Sequence, residues 1–259
     1  MIRLVVDDAR EGSLNMAIDL AVAELSNVKK VPTLRIYEWS KPTLSLGRNQ
    51  KTKNLNWSFI EKKGIDVVRR PSGGRGVLHN KEITYSFSIS KSSNLLPNSL
   101  MDSYMKISRA LIESFLQLGI ESHMEPSKSK GLTKDFCYDA SSFYEVKVNG
   151  KKLIGSAQYR NPYFILQHGS IPIKFDYESY INSFNYANSE KIKSHLLNST
   201  IDIENILKRP LSKKELADAF KIGFEKVFND DLFIDSIDRL ELEYAQKIKD
   251  RFIVVEGNY

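Results

Sequence analysis

The chain has 259 residues, 41% hydrophobic and 27% charged, with a formal net charge of +6 and one cysteine. It is long enough to bury a core without disulfides, lacks the ~18-residue apolar run of a membrane helix, and opens on too short an apolar run for a signal peptide, so a cytoplasmic protein with no membrane partner is expected. Its basic residues are spread along the chain rather than gathered in one tract, which sets nucleic acid aside and favours an acidic protein partner.

Ser13 is placed to cap a helix over 14–27, where Leu14, Ala17, Ile18, Ala21, Val22 and Leu25 recur at i, i+3, i+4, i+7 and predict one buried face. Residues 33–39 alternate as a strand, and 43–47 read as its return strand, ending at Gly47. A short helix over 57–63 stops at Gly64, and 65–68 is a strand. Residues 82–90 alternate again, with Ile83, Tyr85, Phe87 and Ile89 on one side. Asp102 or Ser103 caps the next helix, which runs to Leu118 with Gly119 as its stop. Residues 125–140 are polar and irregular. Asn149-Gly150 between the alternating runs 143–148 and 151–160 predicts a hairpin. Another strand covers 164–174, and helices follow near 178–184, 202–208, 212–228 and 236–250. Strands in the middle and helices at the end indicate an α+β fold with a mixed, largely antiparallel sheet.

Two features in this frame carry chemistry. The first is Arg69-Arg70-Pro71-Ser72-Gly73-Gly74-Arg75-Gly76-Val77-Leu78-His79, a glycine-rich basic loop between strands. Gly73, Gly74 and Gly76 permit positive φ and close backbone approach, and successive N–H groups form a nest for negative charge or an acyl carbonyl. No Gly-Lys-Ser/Thr follows, so it is not a phosphate loop of the nucleoside triphosphatases. A strand rather than a helix follows, so it is not a dinucleotide fingerprint. The second is Cys137. A solitary cysteine serves either as a small buried hydrophobe or as a nucleophile. Its polar neighbours Asp135, Tyr138 and Asp139 favour the latter.

The loop resembles the signature of the biotin/lipoate protein ligase and octanoyltransferase superfamily, and within it the cysteine-containing octanoyltransferases. The resemblance continues at Asn15-Met16-Ala17-Ile18-Asp19, Thr84-Tyr85-Ser86 and Cys137-Tyr138-Asp139-Ala140-Ser141-Ser142-Phe143-Tyr144-Glu145. It recurs at Gly150-Lys151-Lys152-Leu153-Ile154-Gly155-Ser156-Ala157-Gln158 and Leu166-Gln167-His168-Gly169-Ser170-Ile171, over roughly residues 1–230. Ser141-Ser142 stands where the family often has Pro-Ser. The resemblance implies a single ligase-type catalytic domain over 1–259, its sheet flanked by helices, with a helical part from about 177. It implies transfer of octanoyl from octanoyl-acyl carrier protein to a lipoyl-domain lysine, as on glycine cleavage H protein, through a Cys137 thioester. ATP, metal and cofactor are not called for.

The resemblance makes Lys152 the group that lowers the thiol's pKa and orients the acyl carbonyl. Arg70, Ser72, Gly73, Gly74 and Gly76 would shape the acyl pocket. Gly155, Ser156 and Ala157 are small, as suits a strand beneath an acyl chain or a tightly packed sheet. His79 and His168 either line the site or serve the structure. A two-residue turn sets Lys152 opposite Lys147, a like-charge pair that calls for another partner. Three other readings share the sequence: an ATP-dependent lipoate–protein ligase, an octanoyl amidotransferase between lipoyl domains, and a non-catalytic basic module. The ligase would lack the cysteine and carry a further C-terminal domain.

Overall fold

The computed structural model describes residues 1–126, 135 and 144–257. The elements run β1 (Ile2–Val6), α1 (Gly12–Lys29), β2 (Thr33–Tyr37), β3 (Thr43–Leu46), α2 (Trp57–Lys62), β4 (Asp66–Arg69), β5 (Val77–His79), β6 (Glu82–Ser90) and α3 (Leu100–Gln117). They continue with β7 (His123–Pro126), β8 (Tyr144–Val148), β9 (Lys151–Lys152), β10 (Gly155–Arg160), β11 (Phe164–Pro172), α4 (Tyr177–Asn182) and α5 (Ser189–Ser199). The last are α6 (Ile203–Leu207), α7 (Lys213–Phe228), β12 (Leu232–Asp235) and α8 (Arg239–Ile248). The fold is α+β with mixed sheets, as the pattern indicates.

The large sheet has the order β10-β11-β6-β2-β1-β12. β1 lies parallel to β2 and β12, and the other pairs are antiparallel. The alternation of β6 sends Ile83, Tyr85, Phe87 and Ile89 to one face, against Leu111 and Phe115 of α3 and Phe220 and Phe224 of α7. The opposite face is covered by α1, which packs on β6, β11 and α8. Because α1 is enclosed by the sheet and α8, it is buried almost all round from Gly12 to Ala23, not along one face.

Several expectations change. β3 is not the return strand of β2, because both edges of β2 are already taken by β1 and β6. It joins a second sheet, parallel to β4 and antiparallel to β5. The Asn149-Gly150 turn is present, with both residues at positive φ. The returning strand breaks after Lys152, where Leu153 and Ile154 plunge into the core. It resumes as β10 on the edge of the large sheet. Residues 125 and 126 belong to β7, which pairs with β8. Glu11, with no side-chain bond, is the N-cap of α1 in place of Ser13. α3 is capped by Ser99 Oγ, which accepts from the Asp102 N–H. α5 and β12 lie in what reads from sequence as loop or helix.

Candidate functional site

Pairing register builds the floor of a cleft on the α1 face of the large sheet. One cross-strand row is Arg35, Ser86, His168 and Ala157; the row beside it is Tyr37, Thr84, Ser170 and Gly155. Residues two apart on a strand share a face, so both rows point the same way. The second sheet supplies the roof, with Ser45, Arg70, Val77 and His79, while Trp39 and Met16 close the sides. The cleft is narrow: about 20 Å³ of it can hold the centre of a water molecule. Gly155 and Ala157 leave its β10 end low.

Asp19 of α1 lies fully buried beneath the first row. It accepts hydrogen bonds from Arg35 Nη1, Tyr37 Oη and Ser86 Oγ, each at 2.8 Å, and His168 Nδ1 lies 3.4 Å away. Burial alone would raise its pKa; the bond from His168, the Arg35 charge and the Ser86 hydroxyl outweigh it and hold the carboxyl below its ordinary value. Tyr37 is pushed well up by burial and by the Asp19 charge, so it remains a donor. His168 passes the network on through Nε2, 2.6 Å from Ser72 Oγ. Ser72 is itself buried and is not among the residues that line the cleft.

His79 heads a second relay. Its Nε2 is 2.7 Å from Ser45 Oγ and its Nδ1 is 3.1 Å from Glu82 Oε1. Its ring stacks on Trp39 at 3.9 Å and 17°. Arg70 Nη1 donates to Ser45 Oγ at 3.3 Å. That assigns the serine hydrogen to Nε2 and the imidazole hydrogen to Nδ1, facing the carboxylate. Burial lowers the His79 pKa, more than Glu82 raises it, so the ring is neutral at pH 7. Glu82 Oε1 also accepts from Thr84 Oγ1 at 2.7 Å, whereas Oε2 is buried without a partner among the described residues.

The glycine-rich loop is held by its own arginine. Arg70 Nη2 donates to the carbonyls of Gly73 and Arg75, both at 2.8 Å, and Nη1 to Ser45 O at 2.9 Å. Gly74 has φ +94°, and a Cβ on Gly47 would come within 1.9 Å of its carbonyl oxygen. The two loops therefore interlock at positions where only glycine fits. Gly73 stands exposed at the tip. The Gly76 N–H does not join an open nest: it donates to Asp135 O at 2.7 Å. Asp135 also accepts from Gln50 Nε2 and Asn54 Nδ2, at 3.1 and 3.0 Å, and from Tyr186 Oη.

The remaining predicted residues divide. Gly155, Ala157, His79, His168 and Arg70 line the cleft. Ser156 does not: as the alternate residue of β10 its Oγ meets Tyr85 Oη at 2.9 Å, and Tyr85 lies on the α3/α7 side. Lys152 is opposite Lys147, as the turn requires. The carboxylates that relieve the pair are Glu145, 3.0 Å from Lys152 Nζ, and Glu125 and Glu145, each 3.6 Å from Lys147 Nζ. Cys137 lies outside the described residues, and with it the contact between thiol and Lys152. Asp19, Trp39, Ser45 and Glu82 are cleft groups given no role from sequence. Their signal is present: Asn15 and Asp19 sit one turn apart in the otherwise apolar stretch 14–23 of α1, and Glu82, Thr84, Ser86 and Ser88 form a polar stripe on the central strand.

Residues 11–225 match the model of the lipoyl protein ligase A/B catalytic domain. A Halalkalibacterium halodurans protein named octanoyltransferase LipM is 36% identical over 99% of this chain and 98% of its own length. Its namesake in Bacillus anthracis is 35% identical over 95% and 94%. Among solved structures, a lipoate-protein ligase A bound with ATP superposes with a TM-score of 0.78 over 96% of this chain and 94% of its own. A bipartite lipoate protein ligase from Thermoplasma acidophilum gives 0.77 over 96% and 92%. Both are 18% identical, a likeness of fold.

Proposed function

The chain belongs to the lipoyl protein ligase A/B catalytic-domain family, and from that premise we propose that it is an octanoyltransferase of lipoate assembly. It takes octanoyl from octanoyl-acyl carrier protein through a thioester on Cys137. It delivers the group to a lysine of a lipoyl domain, such as that of glycine cleavage H protein. The observation that carries the reading is identity to octanoyltransferases over nearly the whole chain.

The chemistry needs two exchanges. The Cys137 thiolate attacks the donor thioester, the new C–S bond forms, and the carrier's thiolate leaves. The acceptor amine then attacks the enzyme thioester, an amide forms, and Cys137 departs as thiolate. A free thiol near pKa 8.5 is only a few per cent ionised at pH 7, and the Lys152 ammonium favours the charged form. The amine's proton needs a base, and neutral His79, backed by Glu82, is suited to take it through Ser45, whose Oγ accepts the amine's proton as it passes its own to Nε2.

Mixing the protein with octanoyl-acyl carrier protein in the absence of ATP, and reading the intact mass, tests this. An octanoyl adduct that disappears in Cys137→Ala is expected. No adduct, with modification of a lipoyl domain only when free lipoate and ATP are supplied, would overturn it in favour of a ligase.

A further inference from the structure

Mapped onto the fold, the chain's charge is far from even. Residues 39–81, which build the cleft roof and the glycine-rich loop, hold ten Lys and Arg and two Asp and Glu, in a chain with totals of 38 and 32. The whole positive excess therefore lies in this segment, and the rest of the chain is slightly acidic. Its two acids, Glu61 and Asp66, line a separate hollow with Trp57, Ile65 and Val254.

Within it, the loop 47–53 presents Arg48, Lys51 and Lys53, all exposed. None of the three has an ion-pair partner among the described residues. The loop's backbone is tightly fixed. Arg48 N donates to Ser72 O at 2.9 Å, and Arg69 Nη1 donates to the carbonyls of Gly47 and Gln50 at 3.0 and 2.7 Å. Gln50 and Asn54 hold Asp135. A rigid loop that spends its internal bonds on the glycine-rich loop, and leaves its cations outward beside it, is built to meet negative charge.

We propose that Arg48, Lys51 and Lys53 form the docking surface for the acidic donor carrier protein, an assignment that rests on the transferase reading above. The occupant is the donor rather than the acceptor because of what each brings to the cleft. A carrier protein brings an acyl thioester on an arm joined through a phosphodiester, which this rim attracts. The acceptor brings a lysine ammonium, which it repels.

The test compares two donors, octanoyl-carrier protein and the uncharged octanoyl-pantetheine, by the rate of octanoyl adduct formation. In Lys51→Glu/Lys53→Glu, with and without Arg48→Glu, the apparent second-order rate with the carrier falls about 10-fold or more. Its salt dependence flattens, and the rate with octanoyl-pantetheine stays at the wild-type value, which also reports an intact fold. Equal loss with both donors, or no loss with the carrier, overturns the docking surface and leaves the transferase reading standing. Loss confined to transfer onto the lipoyl domain overturns it in favour of an acceptor surface. A wild-type protein acylated by neither donor sinks the transferase reading and this proposal together.

Discussion

Asp19 gathers Arg35, Tyr37, Ser86 and His168 around one buried carboxylate, so the cleft floor depends on its charge. Arg35 keeps a second carboxylate, Asp7, 2.8 Å from its Nη2, so Asp19→Asn does not strand the guanidinium; it leaves buried donors poorly matched, and a loss of about 1–3 kcal/mol is expected at pH 7. The sign of its pH dependence follows from a folded pKa below the unfolded value of about 3.9. The carboxylate's stabilisation is complete above that value and is lost as pH falls through the folded pKa. The gap between wild type and variant therefore narrows as pH falls below about 3.9. Urea unfolding at neutral and acid pH measures both; a gap unchanged by pH would contradict the assignment. Polar residues in α1 and β6 were legible from sequence, yet their convergence was not. It depends on the register that places Arg35, Ser86 and His168 in one row.

At the level of elements, α3 and α7 cross in close contact. A Cβ on Gly223 would lie 2.4 Å from the backbone nitrogen of Ser114 and 2.7 Å from its Cα. Backbone cannot step aside as a side-chain end can, so Gly223→Ala is expected to destabilise by about 1–3 kcal/mol or more despite the better helix propensity of alanine. A melting temperature at or above wild type would show that the helices can separate freely. Elements with strong local signals were readable: β6 by its alternation, the Asn149-Gly150 turn by its dipeptide, α7 by its helical pattern over 212–228, which the structure starts with a Ser212–Glu215 capping box. β12 was not, because Leu232 is its one buried residue and its place depends on pairing with β1. β3 reads as a hairpin partner of β2 because sequence adjacency cannot reveal that β6 has taken that edge. The helix α5 is rich in Ser and Lys, and buries little besides Ile192 and Leu196.

Across the whole molecule, the two ends of the chain are joined by contacts that no local signal announces. β1 pairs with β12, and Arg3 forms a bidentate bond to Glu241 of α8 at 3.1 and 2.6 Å, both residues buried. Glu241 also caps α8 by accepting from the Asp238 N–H at 3.0 Å. Glu241→Ala removes a buried partner and a capping-box member together. A loss of about 3–5 kcal/mol is expected, appearing as a shift of the urea midpoint for the whole cooperative transition. A separate early phase confined to α8 would show instead that the end packs independently. The site inherits this long-range closure, because α1, which supplies Asp19 and Met16, is held between the sheet and α8.

The stack of Trp39 on His79 gives the cleft an optical signal of its own. The chain has two tryptophans, Trp39 and Trp57, and only Trp39 borders this cleft. Its indole N–H donates to Thr84 Oγ1 at 2.9 Å, which fixes the ring against the imidazole. An imidazolium is a stronger quencher of indole emission than a neutral imidazole, and a chain of methylenes laid along the ring changes its polarity. With Trp57 replaced by Phe, intrinsic fluorescence becomes a label-free reporter of His79 protonation and of acyl occupancy in a single cuvette.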